Sequence, residues 1–243
     1  MSLHPPELSV VIPAYNEEAR LGPTLSRIIQ YLESATPAYE ILVVDDGSSD
    51  RTVQVAEEAA RDCSKLRVLQ LGRNRGKGAA VRKGMLDARG AQVLFSDADL
   101  ATPIEELQKL QKELSNGAAI AIGSRALAGS DIRVRQHPVR ELMGRTFNVL
   151  VRLLTFPGIK DTQCGFKLFT REAARDLFAR QSIDGFAFDV EILWLARDRY
   201  EIAQIPVVWR HVEESKVSLV RASSKMLLDL MALRVRRIFT RGR

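Results

Sequence analysis

Carboxylates standing where short apolar runs end are the first place in this 243-residue chain to look for chemistry. Asp97-Ala98-Asp99 follows the run Ala91–Ser96. Two aspartates one residue apart at a strand end converge near one point and can grip a hard divalent cation, with phosphate oxygens and water completing its shell. A solvated acidic turn would explain the same three residues, so position and company must decide. Company is at hand in Val44-Asp45-Asp46-Gly47-Ser48-Ser49-Asp50. A turn and a helix cap account for Gly47, Ser48, Ser49 and Asp50. They leave over an acidic pair at the mouth of an apolar run, one of which can face a base N–H or a ribose hydroxyl. Pro13-Ala14-Tyr15-Asn16-Glu17 closes another such run. Tyr15 offers a stacking face and Glu17 an acceptor for hydroxyls, although a helix entry would use the same residues. Gly72-Arg73-Asn74-Arg75-Gly76-Lys77-Gly78 has the look of a phosphate loop. Its glycine spacing and Gly78 in place of a metal-binding hydroxyl break the GxxxxGK[ST] pattern.

The elements that must position these residues alternate. Leu8–Ile12, Glu40–Val44, Leu66–Leu71, Ala91–Ser96 and Ala118–Gly123 read as buried strands. Between them lie helical patterns. Leu21, Leu25, Ile28, Ile29 and Leu32 share one face; a second helix ends near Asp62; a third spans Lys77–Ala88. Thr102-Pro103 reads as an N-cap with proline at the first helical position, leading to Ile104, Leu107, Leu110 and Leu114. Strands alternating with helices predict right-handed crossovers and a doubly wound α/β sheet, whose ligands gather at the carboxyl ends of the strands. Every acidic cluster named above falls at such an end.

Beyond Arg125 the pattern loosens. Ala126–Pro138 reads as an exposed loop, Arg140–Thr155 as an amphipathic helix, Phe166–Phe169 and Ile202–Trp209 as strands. Arg171–Ala179, Phe188–Arg197 and 217–239 read as helices. The expected division is one catalytic domain over residues 1–216 with a basic amphipathic helix, 217–243, as an extension. Three scattered histidines argue against a zinc site, and Cys63 and Cys164 read as two reduced thiols. No segment has the roughly 20 apolar residues of a membrane span, and the start lacks a secretory pattern. The expectation is a cytoplasmic protein. Its net charge of +6 is not evenly spread: residues 221–243 hold seven basic side chains against Asp229 alone, and the rest is neutral.

Taken in order, Pro13-Ala-Tyr-Asn-Glu17, Asp45-Asp-Gly-Ser-Ser-Asp50, Asn74-Arg-Gly-Lys-Gly78, Asp97-Ala-Asp99 and Gly123-Ser-Arg125 resemble the large inverting glycosyltransferase family of GT-A fold. Gly158-Ile-Lys-Asp-Thr-Gln-Cys-Gly-Phe-Lys-Leu-Phe169 and Phe186-Ala-Phe-Asp-Val-Glu191 resemble its dolichyl-phosphate β-glucosyltransferase branch. Arg210 with Glu214-Ser-Lys216 is similar to the donor-clamping segment of the related dolichyl-phosphate mannose synthases. Those synthases tend to carry a metal-binding glutamine where this chain has Ala101, which favours the glucosyl branch.

The resemblance implies a GT-A, Rossmann-like, mostly parallel sheet flanked by helices, and a nucleotide sugar, UDP-glucose, as donor. Pro13, Tyr15, Glu17, Val44 and Asp46 would surround base and ribose, with Ser96 beside them. Asp97 would hold ribose or metal-bound water, and Asp99 would ligate Mg²⁺ or Mn²⁺. Arg125, Arg210 and Lys216 would add positive charge around the diphosphate. Arg140 and Arg145, with Arg133 and Arg135, would meet the phosphate of a polyprenyl or dolichyl acceptor at the cytoplasmic face of a membrane. Asp189 and Glu191 stand where relatives with hydroxyl acceptors place a base, or they organise the site by hydrogen bonds. Two rivals stay open. One keeps the fold and donor but glycosylates a hydroxyl on a soluble glycan. The other is a non-enzymatic module that binds membrane or nucleic acid through its basic tail; the enzyme reading expects no nucleic acid.

Overall fold

The computed structural model describes residues 5–36, 38–134, 158–210 and Asp229. Arg135, Arg140, Arg145, Lys216 and the helices expected over Arg140–Thr155 and 217–239 lie outside them, Asp229 excepted.

β1 (Leu8–Ala14) is buried along its whole length, as a strand covered on both faces must be. Leu8, Val10 and Ile12 meet α1 (Leu21–Ala35) and the region of α4 (Leu107–Ser115), while Val11 meets α3 (Lys77–Asp87) from the other side. β2 (Tyr39–Asp45) and β4 (Gln92–Ser96) pair with β1 in parallel, and β3 (Leu66–Gln70) pairs with β2. α2 (Thr52–Asp62) bridges β2 and β3. The seven-stranded order is β3-β2-β1-β4-β7-β5-β8. From β1 the chain winds first to β2 and β3 and then back to β4, so the β1/β4 border is a topological switch point. Ligands of such sheets settle in that crevice.

The second half departs from a simple doubly wound sheet. β7 (Phe166–Thr170) enters antiparallel between β4 and β5 (Ile120–Ser124). β8 (Ile202–Pro206) then pairs with β5 in parallel. α5 (Arg171–Arg180) and α6 (Phe188–Ala196) lie with α3 on one face, where Phe188 meets Phe95 edge-on at 5.7 Å.

Three local expectations are corrected. The stretch expected as an exposed loop contains β6 (Asp131–Val134), which pairs with β9 (Val208–Arg210) in a small second sheet. Ile202–Trp209 is therefore two strands in two sheets, divided at Val207, whose N–H reaches back to the Ser124 carbonyl. Pro103 has extended ψ, 145°, and stands ahead of a 3₁₀ turn, Ile104–Glu106, rather than inside the helix.

Candidate active site

The carboxyl ends of β1, β2 and β4 open on one cavity of about 450 Å³. Pro13, Tyr15, Glu17, Asp46, Asp97 and Asp99 all line it, joined by Arg20, Asn74, Gly76, Lys77 and Phe186. Sequence spacing alone puts the first six at three separate strand ends; the fold brings them to one.

The β1 and β2 ends are fastened together. Asn16 takes a left-handed φ of 54°, tolerated by asparagine, and its Oδ1 accepts from the Ser49 N–H at 2.8 Å. Its own N–H donates to Ser48 Oγ, and the Glu17 N–H to Thr52 Oγ1. Tyr15 is left 46% exposed on this frame, an open aromatic face at the cavity. Both Glu17 oxygens accept from Arg20, at 2.7 and 2.8 Å. Asp45 serves the turn by accepting from the Gly47 and Ser48 N–H groups. Asp46 accepts from Arg75 and Gly76 N–H at 2.8 and 2.9 Å, which draws the 72–76 loop to the cavity wall. Burial raises the Asp46 carboxyl above the usual range, and those two N–H groups pull it partly back.

At the β4 end the chain turns tightly. Leu100 is held at φ 46°, a conformation rare for leucine, and Ala101 N–H donates to Asp99 Oδ1 at 3.0 Å. Thr24 Oγ1 donates to the Ala98 carbonyl and Arg210 N–H to that of Ala101, so the turn is braced from two sides. Burial, and then the neighbouring Asp97, push the Asp99 carboxyl up. Asp97 faces the Lys77 ammonium at 2.6 Å. Burial alone would depress Lys77; Asp97, with Asp189 and Asp99, outweighs it and keeps the ammonium charged. Lys77 escaped the reading of residue types. The signal was its place as first residue of α3, a helix whose N-terminus points at the strand ends.

The remaining expected residues stand behind or beside the cavity. Val44 is wholly buried, packed where Gly84 leaves room on α3, and does not line the cavity. Ser96 is buried, its Oγ turned to the Asp97 carbonyl at 3.4 Å. Arg125 grips the buried Asp161 through Nε at 2.7 Å and a second guanidinium nitrogen at 2.8 Å. Asp189 is buried against Lys167, which sequence reading also missed; burial raises its carboxyl, and Lys167 and Lys77 oppose the rise. Glu191 organises rather than reacts: it accepts from the Ser182 and Ile183 N–H groups and from Ser182 Oγ. Arg210 Nε is buried without a hydrogen-bond partner among the described residues.

Among the described residues no group of three or more His, Cys, Asp or Glu side chains gathers as a self-sufficient metal cage. The donor set of the cavity, Asp97 with Asp99, is two hard carboxylates. It fits Mg²⁺ or Mn²⁺ bound chiefly through a ligand's phosphates, and poorly fits zinc.

Residues 9–178 match the family model described as Glycosyl transferase family 2. The chain belongs to that family. The human dolichyl-phosphate beta-glucosyltransferase is 42% identical over 244 residues, covering 95% of this glycosyltransferase and 75% of the relative. That of Saccharomyces cerevisiae is 40% identical, covering 94% and 74%. Among solved structures, glucosyl-3-phosphoglycerate synthase from Mycobacterium tuberculosis, in complex with Mn²⁺, UDP-glucose and phosphoglyceric acid, superposes with a TM-score of 0.71. It is 24% identical, with 94% of this chain and 79% of that one covered, and shows the shared GT-A-like fold. The expected family, enzyme class and mostly parallel sheet are thereby borne out.

Proposed function

We propose that this glycosyltransferase moves glucose from UDP-glucose to a dolichyl or other polyprenyl phosphate, with inversion at the anomeric carbon. The observation that carries the reading is one cavity at the β1/β4 switch point holding Tyr15, Asp46, Asp97, Asp99 and Lys77 together. Relatives about as similar as the human enzyme, named for that reaction, supply the substrate class.

Tyr15 stacks on the base, and Asp46, already shaping the 72–76 wall, limits how deep the nucleoside enters. Asp97 and Asp99 would hold Mg²⁺ or Mn²⁺, and the cation, when bound, would supply charge neutralisation at the diphosphate. Lys77 adds a second positive charge within reach of the same carboxylates. Arg210 and Lys216 close on the phosphates, while Arg125, engaged with Asp161, acts from one layer behind. An acceptor phosphate oxygen forms the new bond to the anomeric carbon as the bond to the UDP oxygen breaks, and UDP leaves with that electron pair. A phosphate monoester is ionised near neutral pH, so it needs no base, and positioning with electrostatics supplies the catalysis. That agrees with an Asp189 buried against Lys167 instead of facing the cavity. Arg140 and Arg145 meet the acceptor phosphate at a membrane surface. Residues 217–243 form an extension to the catalytic unit rather than a second domain.

The test is UDP-[¹⁴C]glucose with Mn²⁺ or Mg²⁺ and a short polyprenyl phosphate. Label is expected in the lipid phase, and none in the Asp99→Asn variant, which also loses the Mn²⁺-dependent part of the thermal shift given by UDP. Label entering a hydroxyl acceptor and never the lipid would overturn the acceptor. A full metal-dependent shift in Asp99→Asn would overturn the metal role.

A further inference from the structure

Asp161-Thr162-Gln163-Cys164-Gly165-Phe166-Lys167 takes no part in lining the cavity. It packs directly behind it. Gly165 lies so close to Asp97 that a β-carbon there would overlap the Asp97 carboxylate. Its carbonyl also accepts the Asp97 N–H at 3.0 Å. One glycine thus touches this aspartate on both backbone and side chain, and only the absence of a side chain permits it. The neighbouring Cys164 carbonyl accepts from Lys167 Nζ at 2.7 Å, and the same ammonium pairs with Asp189 at the start of α6. Lys167 is 2% exposed and lies 5.6 Å from the Phe95 ring centroid, on the strand before Asp97. An apolar side chain could fill that place in β7 without the desolvation an ammonium incurs. At the other end of the stretch, Arg125 fixes Asp161.

We infer that Gly165 sets the rotamer in which Asp97 meets the cation, and that Lys167 is a positioning residue holding Gly165 there by tying the Cys164 carbonyl to Asp189. The inference rests on the proposed role of Asp97 at the metal. It differs from that role in naming what aims the carboxylate.

The experiment is a cycle on the full chain: wild type, Gly165→Ala, Asp97→Ala and the double variant, with Lys167→Met beside them. Calorimetry reads UDP affinity with and without Mn²⁺, and thermal melting is read without metal. In the chain that keeps Asp97, Gly165→Ala should cut the Mn²⁺-dependent gain in UDP affinity by about tenfold or more, leaving metal-free UDP affinity unchanged. In the Asp97→Ala background the added methyl has no carboxylate to displace. It should cost no further affinity there, and melting of the double variant should recover toward that of Asp97→Ala. Lys167→Met should weaken the Mn²⁺-dependent gain in the same way. Equal losses in both backgrounds, or an unchanged gain in Gly165→Ala, would overturn the inference. Should Gly165→Ala fail to fold, folding of the double variant supports the contact, and failure of both overturns it. A wild-type chain lacking any Mn²⁺-dependent gain would instead overturn the metal role itself, which separates the two failures.

Discussion

Asp161 has its carboxylate almost wholly buried and held from one side by a guanidinium. Burial pushes its carboxyl up, but Arg125 more than reverses this and holds it down to about 2. A carboxyl lower in the folded than in the unfolded chain stabilises the fold once pH exceeds its ordinary value of 3.8. That contribution fades as pH falls through that value toward about 2. The shift corresponds to about 2 kcal/mol. Asp161→Asn should therefore be less stable than wild type by about that amount at neutral pH. The gap in urea-unfolding free energy should narrow steadily as the solution is acidified through the carboxylate range. A gap independent of pH would show that the variant fails for reasons of shape. Asp99, which lines the cavity, shifts the opposite way through burial and the neighbouring Asp97 and weakens the fold where it ionises, the pattern of a group placed for binding rather than stability. Asp97 and Asp99 were legible because only Ala98 separates them in the sequence. Lys77 and Lys167 were not, since what matters is a partner 20 or 22 positions away, and only the fold sets that distance.

At the scale of elements, the apolar runs of β1, β2, β4 and β5 and the helices between them were legible from period and punctuation alone. β7 was legible as a strand, but its direction was not. The alternation Phe166-Lys167-Leu168-Phe169 reads identically whether it is laid parallel or antiparallel. Here the direction follows from where the chain arrives after Gly158, and no local residue records that. Its consequence is large, because the reversed strand brings Gly165 and Lys167 to the carboxyl end of β4. Phe169 anchors the arrangement: it stands opposite Val93 on one side and Ile120 on the other, with Phe178 of α5 edge-on at 5.5 Å. Phe169→Ala should lower unfolding free energy in urea by about 3–5 kcal/mol, as for other buried phenylalanines. It lies at the far end of β7 from Asp97, so the folded variant should bind UDP as wild type does. A parallel loss of UDP affinity would mean that β7 transmits strain along its length to the site.

At the scale of the whole molecule, the charge distribution stands apart from the catalytic architecture. The entire excess of +6 lies in residues 221–243, and the other 220 residues are balanced. No helix among the described residues is long and apolar enough to cross a membrane. The one described residue of that segment, Asp229, lies 3.7 Å from where a β-carbon of Gly185 would sit. Gly185 precedes Phe186, which is 37% exposed at the cavity. Asp229 thus lies beside the residue that leads into Phe186 at the cavity. Basic residues near an anionic bilayer contribute about 1 kcal/mol each, screened by salt over about 8 Å at physiological ionic strength. Removing residues 221–243 should abolish co-sedimentation with vesicles rich in anionic lipid, while UDP affinity in solution persists. Raising the salt should mimic the deletion in the intact chain. If the truncated chain instead melts at lower temperature and still sediments with vesicles, the segment serves as packing, and the membrane must be met by the arginines between Arg133 and Arg145.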